Sequence, residues 1–168
     1  DIKPVTVLGG FAMTAVTALT VQNTEGVFAI HEVPPDFVAQ QMCVVLSDIG
    51  ADCVKIGMLH RPEIIDAVAA VLVAEAAGVP VVVDPVMVAK GGAALLAPEA
   101  MNSLKERMVP RAAVLTPNLP EAEALTGITI ADRDAMERAG AALLALGPDA
   151  VLLKGGHLEG EVVTDLLF

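Results

Sequence analysis

The chain has 168 residues, a net charge of −11 and a composition that is 55% apolar but only 2% aromatic. That length makes one domain, 1–168, with a core of Ala, Val and Leu. The acidity argues against a nucleic-acid partner and against an anionic membrane surface, since both require a basic face. In chain order, residues 16–21 form a first apolar run ending at Gln22-Asn23-Thr24, and residues 26–33 follow it as a second strand after a short turn. Strands joined so closely cannot be parallel neighbours. The second is therefore expected as an antiparallel addition, a lid or an interface strand.

Pro35-Asp36 opens a helix with Phe37, Val38, Met42, Val45, Leu46 and Ile49 at helical spacing, stopped by Gly50. Residues 53–56 read as a strand ending at Gly57-Met58. A helix from Pro62-Glu63 buries Ile64, Ile65, Val68, Val71 and Leu72, and Gly78 and Pro80 end it. Strand 79–83 runs into Asp84-Pro85, a helix spans about 98–108, and strand 112–115 ends in Thr116-Pro117-Asn118. A short helix then stops at Gly127, another runs from 132 to 146 before Gly147-Pro148, and strand 150–153 ends in Lys154-Gly155-Gly156-His157.

Short all-apolar strands alternating with helices predict an α/β fold, a mainly parallel sheet covered on both faces. Its strands should end near Val21, Ile56, Val83, Leu115 and Leu153. Ligands bind beyond the carboxyl ends of such strands, so the chemistry-bearing residues are expected along one edge. Cys43 and Cys53 fit no metal or redox spacing; they read as buried packing thiols of a cytoplasmic protein. No segment reads as a signal peptide or a bilayer span. The chain starts at Asp1 and ends on Leu166-Leu167-Phe168 without a turn signal, and a fragment of a longer protein is expected.

At the expected edge, Asn118-Leu119-Pro120-Glu121 has two readings. It is a capping box, with Asn118 and Glu121 bonding each other's backbone. Alternatively it is a metal–phosphate site, because a helix N-terminus attracts anions and a carboxylate there can hold Mg²⁺. Asp84 ends the most apolar strand, where a carboxylate is costly without solvent, a cation or donors. That favours a Mg²⁺ contact or a polarising role over a turn residue. Lys154 before two glycines either touches phosphates or marks a plain turn. Lys90-Gly91-Gly92 reads equally as a mobile flap or a solvated loop. The amide of Gln22 suits the ring nitrogens and amino group of a heterocycle, or Gln22-Asn23 simply forms a turn. Most methionines read as core filler, whereas Met58 lies just past a strand end. Walker, dinucleotide, nucleophile-elbow and zinc motifs are absent, so any phosphate handling uses a non-Walker arrangement.

Six stretches carry a resemblance to a known family. They are Thr17-Ala18-Leu19-Thr20-Val21-Gln22-Asn23-Thr24, Pro34-Pro35-Asp36-Phe37-Val38, Lys55-Ile56-Gly57-Met58-Leu59, Asp84-Pro85-Val86-Met87-Val88-Ala89-Lys90, Thr116-Pro117-Asn118-Leu119-Pro120-Glu121-Ala122-Glu123-Ala124-Leu125 and Lys154-Gly155-Gly156-His157. In this order they resemble the hydroxymethylpyrimidine/phosphomethylpyrimidine kinases of thiamine biosynthesis, within the ribokinase-like superfamily. The resemblance implies a three-layer α/β/α kinase. It moves the γ-phosphoryl of ATP to the hydroxymethyl group of an aminopyrimidine, then phosphorylates the monophosphate. It further implies a homodimer, with residues 27–33 at or near the interface.

By position, Gln22 would bond the pyrimidine and Met58 would line its pocket. Asp84 and Glu121 would sit at Mg²⁺, and Asn118 and Lys154 at ATP. Such roles suit a reaction catalysed by positioning and charge neutralisation. Three departures stand out. The family's N-terminal Gly-rich segment is missing before Asp1. The Gly-Thr-Gly-Cys motif that carries its base position is absent, so no catalytic base is assigned. Gly91 follows the flap lysine where the family has Ser or Thr. Two alternatives stand beside the pyrimidine kinase: a pyridoxal kinase, and a non-catalytic pyrimidine- or nucleotide-binding module.

Overall fold

The computed structural model describes residues 1–89, 92, 94–157 and 162–168. A short helix, α1 (Ile2–Val7), precedes an antiparallel ribbon of β1 (Ala18–Gln22) and β2 (Val27–Glu32). Asn23 Oδ1 closes the turn between them by accepting from the backbone N–H groups of Glu25 and Gly26 at 2.8 and 3.1 Å. Helix α2 (Pro35–Asp48) begins with Pro in its first turn, where a missing N–H costs nothing, and Gly50 adopts φ +78° just beyond it. The chain then enters the sheet as β3 (Val54–Ile56), crosses over through α3 (Pro62–Glu75), and returns as β4 (Val81–Val83).

Helix α4 (Ala100–Ser103) continues as a π-helical turn (Leu104–Met108) and a 3-10 turn (Val109–Arg111) into β5 (Val114–Leu115). The helical run expected at 98–108 is therefore irregular and ends three residues later, at Arg111, where Pro110 cannot extend a regular α-helix. Helices α5 (Leu119–Thr126) and α6 (Arg133–Leu144) lead to β6 (Leu152–Leu153), and β7 (Leu166–Leu167) returns beside it. Among the described residues, no helix is long and apolar enough to cross a membrane.

Strands β3, β4 and β5 are parallel neighbours in that order. Parallel bridges from Leu115 to Val151 and from Asn118 to Lys154 place β6 next, and β7 pairs antiparallel with β6. One face of this sheet, carrying Ile56, Val81, Val83, Leu115, Val151 and Leu153, is buried in the core with Ile65, Met108, Met136 and Leu143. On the other face Lys55 is exposed and Val82, Val114 and Leu152 are half-buried. Successive right-handed crossovers that move one way along a sheet deliver their helices to the same face. This explains the uneven covering.

Two sequence expectations need correction. Residues 16–21 are not the first strand of the parallel sheet: β1 pairs only with β2, in a separate ribbon. The local pattern of β-branched residues is the same in both settings, so periodicity does not distinguish them. Cys53 is not buried but exposed, since it precedes β3 in a loop, and Cys43 is half-buried. The final residues form β7, and the Phe168 ring packs directly against Gly140 of α6.

Candidate functional site

The strand ends gather four of the expected residues. Asp84 follows β4, and its N–H donates to the Ile56 carbonyl at 2.9 Å, which aligns the ends of β3 and β4. Lys154 follows β6, and its N–H donates to the Pro117 carbonyl at 2.9 Å, which sets it beside Asn118. The two side chains meet: Lys154 Nζ donates to Asp84 Oδ1 at 3.0 Å. Backbone pairing of the strands thus fixes a cation and an anion 70 residues apart in sequence on one edge.

Asn118 and Glu121 form the complete capping box. Asn118 N–H donates to Glu121 Oε2 at 2.8 Å, and Glu121 N–H donates to Asn118 Oδ1 at 2.9 Å. This satisfies two of the donors left open at the start of α5. Glu121 is nevertheless unusual for a cap, because it is only 6% exposed. Burial raises its pKa above the ordinary carboxylate range. The Asn118 N–H, the Lys154 ammonium and the Met87 N–H pull it down, and the Asp84 charge pushes it up. Glu121, Lys154 and Asp84 therefore form one electrostatic unit, and the capping box lies inside it.

Two further groups join this edge that the sequence reading passed over. Lys55, in β3, places Nζ 3.7 Å from Asp84 Oδ2 and 2.7 Å from Asp1 Oδ2. Its signal was present: a lysine between Val54 and Ile56 in an apolar strand must reach a partner or solvent. Asp165 fixes the glycines after Lys154, its Oδ1 accepting from Gly155 N–H at 2.9 Å. A Cβ on Gly155 would collide with the Thr164 carbonyl. The backbone at Gly155 is thus pinned by tertiary contacts.

Met58 and Gln22 lie elsewhere. Met58 follows β3 and is half-buried, and its carbonyl accepts from Thr17 Oγ1 at 2.7 Å. A second tether joins the ribbon to this loop: Glu32 Oε1 lies 2.8 Å from Arg61 Nε and 3.4 Å from His60 Nε2. A cleft of about 270 Å³ opens between them, lined by Thr17, Glu32, His60, Arg61 and Glu63 among others. Gln22 is exposed, and its Oε1 accepts from Thr20 at 3.1 Å. At about 3.3 Å per residue it sits roughly 16 Å along the strand from Thr17. Since β1 is not in the sheet, Gln22 is not on the edge with Asp84, Asn118 and Lys154, where it was expected. The Lys90-Gly91 part of the flap lies outside the described residues.

Residues 1–168 match the family model described as phosphomethylpyrimidine kinase. The chain is 54% identical over 168 residues to the thiamine biosynthesis bifunctional protein ThiED of Geobacter sulfurreducens, covering 100% of this chain and 34% of that protein. It is 47% identical to the hydroxymethylpyrimidine/phosphomethylpyrimidine kinase of Mycobacterium leprae, covering 100% of this chain and 61% of that one. The chain thus spans less than two thirds of the length of these relatives. Among solved structures, it superposes on the phosphomethylpyrimidine kinase of Clostridium difficile with a TM-score of 0.90 at 44% identity, over 100% of this chain and 72% of the other. The pyridoxal kinase of Staphylococcus aureus, in complex with AMP-PCP and pyridoxal, gives a TM-score of 0.87 at 32% identity, over 100% and 60% respectively.

Proposed function

The chain belongs to the phosphomethylpyrimidine kinase family, of ribokinase-like fold, and on that premise we propose that it serves ATP-dependent phosphorylation of hydroxymethylpyrimidine and of its monophosphate in thiamine biosynthesis. One observation carries this reading beyond the family: Asp84, Lys154, Asn118 and Glu121 meet at the carboxyl edge of the parallel strands. Phosphoryl transfer asks a protein mainly to position groups and to neutralise charge, and a lysine held by Asp84 near the buried Glu121 supplies both. Lys154 would hold the phosphates of ATP. Asn118 would stand at the nucleotide end, where the start of α5 presents backbone donors to an anion.

The donor set suits Mg²⁺, which binds through one or two carboxylates and completes its shell with waters and phosphates. Asp84, paired with Lys154, and Glu121, which feels the charge of both, provide two carboxylates, and among the described residues no group of three or more His, Cys, Asp or Glu forms a dedicated metal cage. Bound there, Mg²⁺ would neutralise charge on the transferring phosphoryl group. Met58 would line the pyrimidine pocket, with Gln22 reading the ring from the ribbon. No residue of these 168 is assigned the role of base toward the hydroxyl.

The ribbon exposes Leu19, Val21 and Phe28, and an uncovered two-stranded edge invites pairing. Burial of that ribbon in a homodimer is part of this reading, as is a cytoplasmic setting, in keeping with two free thiols. A pyridoxal kinase is the second reading, supported by the likeness to the Staphylococcus aureus enzyme. The test is a steady-state assay of the full-length gene product with ATP and Mg²⁺ against hydroxymethylpyrimidine, its monophosphate and pyridoxal. A higher kcat/KM for the two pyrimidines supports the first reading, and a higher value for pyridoxal supports the second.

A further inference from the structure

We propose that Lys55 binds the phosphate that the pyrimidine itself carries in the second phosphorylation, and so sets acceptance of the monophosphate; this rests on the pyrimidine-kinase reading above. The two phosphorylations present different acceptors at one site. The first acceptor is a neutral hydroxymethyl group. The second is a phosphate oxygen, on a group carrying about −1.5 to −2 charges at neutral pH. A single cation committed to ATP leaves that extra charge without a partner, so the acceptor side needs a cation of its own.

The geometry places one there. Asp84 is bracketed by two ammonium groups, Lys154 on Oδ1 at 3.0 Å and Lys55 on Oδ2 at 3.7 Å. Lys154 comes from β6, beside Asn118 and the start of α5. Lys55 comes from β3, with β4, β5 and the Asp84 carboxylate in between. Its Nζ lies 3.8 Å from where a Cβ on Gly57 would stand, next to the backbone that leads into Met58. The Lys55 ammonium therefore lies beside both the Asp84 carboxylate and the backbone leading to Met58, the residue assigned above to the pyrimidine pocket.

Lys55 is also free to change partners. Its contact with Asp84 is long for a charged hydrogen bond. Its closer partner is the single carboxylate of Asp1, at 2.7 Å. A doubly charged phosphate attracts an ammonium group more strongly than one carboxylate does.

The experiment compares full-length wild type with Lys55→Met and Lys55→Arg. Steady-state rates are measured with each pyrimidine at saturating ATP, and the monophosphate is titrated calorimetrically without ATP. Loss of a charge-assisted contact predicts that Lys55→Met weakens monophosphate binding about ten- to a hundredfold. The ratio of kcat/KM for the alcohol to that for the monophosphate should rise by a similar factor, and Lys55→Arg should restore most of it. A parallel fall for both substrates, with an unchanged ratio, would overturn the proposal and reduce Lys55 to a partner of Asp84. If wild type phosphorylates neither pyrimidine, the reading above fails. The calorimetry then still decides: monophosphate binding lost in Lys55→Met upholds the site, and binding that is unaltered or absent refutes it.

Discussion

The sheet edge and the β1–β2 ribbon are built on opposite terms. At the edge, each polar group is fixed by backbone pairing and by a partner: Asp84 by Lys154, Asn118 and Glu121 by each other, Gly155 by Asp165. The ribbon contains no buried residue at all, and Gln22 bonds only within its own strand. It reaches the rest of the molecule through Val16 to Gln41 of α2, Thr17 to Met58 and Glu32 to Arg61. The contrast teaches where rigidity is needed. Phosphoryl transfer depends on charges held in place, whereas recognition of a small ring tolerates an element that adjusts on binding.

The strongest way to break this division is at Lys154. In the full-length protein, Lys154→Met should lower kcat by about 10²–10³, the usual cost of removing one electrostatic contact to a transition state. A fall of less than about tenfold, with an unchanged melting temperature, would place the phosphate-binding cation elsewhere.

Less severe is Thr17→Val, which cuts one tether of the ribbon and leaves the edge intact. Loss of one half-buried hydrogen bond costs about 1 kcal/mol. Proteolysis in the ribbon should accelerate, and the KM for the pyrimidine should rise about fivefold while the KM for ATP holds. An equal rise in both would mean that ribbon and edge act as one body.

The smallest effect sharpens the electrostatics of Glu121. Its pKa is raised in the folded protein. Between the ordinary carboxylate range and that raised value, the folded state keeps a proton that the unfolded state has lost. Stability from this group is therefore full below the ordinary range and is lost as pH rises through the raised value. Glu121→Gln removes the titration and keeps an oxygen for the cap, since Gln also serves at that position. The variant should be more stable than wild type at neutral pH, and the gain should vanish on acidification through that window. Urea midpoints across a pH series measure it. A gain that does not change with pH would contradict the cause given for the shift.

Much of the edge was legible because its signals are local. Asn118 and Glu121 announce a cap by spacing, Gly127 announces its end with φ +74°, and a carboxylate or lysine closing an apolar strand stands out by cost. The family-wide likeness then supplied the roles. The ribbon was half legible: the short turn demanded antiparallel pairing of residues 26–33. Nothing in residues 16–21 told whether their strand joins the sheet, because a β-branched run reads alike in either place. Lys55 and Asp165 were missed for another reason. Their partners, Asp84 and Gly155, are set by tertiary neighbours 29 and 10 residues away, as the Asp84 ion pair and the Gly155 hydrogen bond record.

The division between the two regions is tested most directly by the pair Glu121→Gln and Gln22→Ala in one steady-state assay of the full-length protein with ATP, Mg²⁺ and hydroxymethylpyrimidine. A group at the developing phosphate charge acts in the transition state, and a contact to the ring acts in the ground state. Glu121→Gln should therefore lower kcat about tenfold or more while the pyrimidine KM moves within about twofold. Gln22→Ala should raise that KM by about one to two decades, the value of a lost amide hydrogen bond of roughly 1–3 kcal/mol, with kcat held. Near-wild-type kcat in Glu121→Gln, together with an unchanged KM in Gln22→Ala, would contradict the account and return the edge to helix capping and the ribbon to a turn.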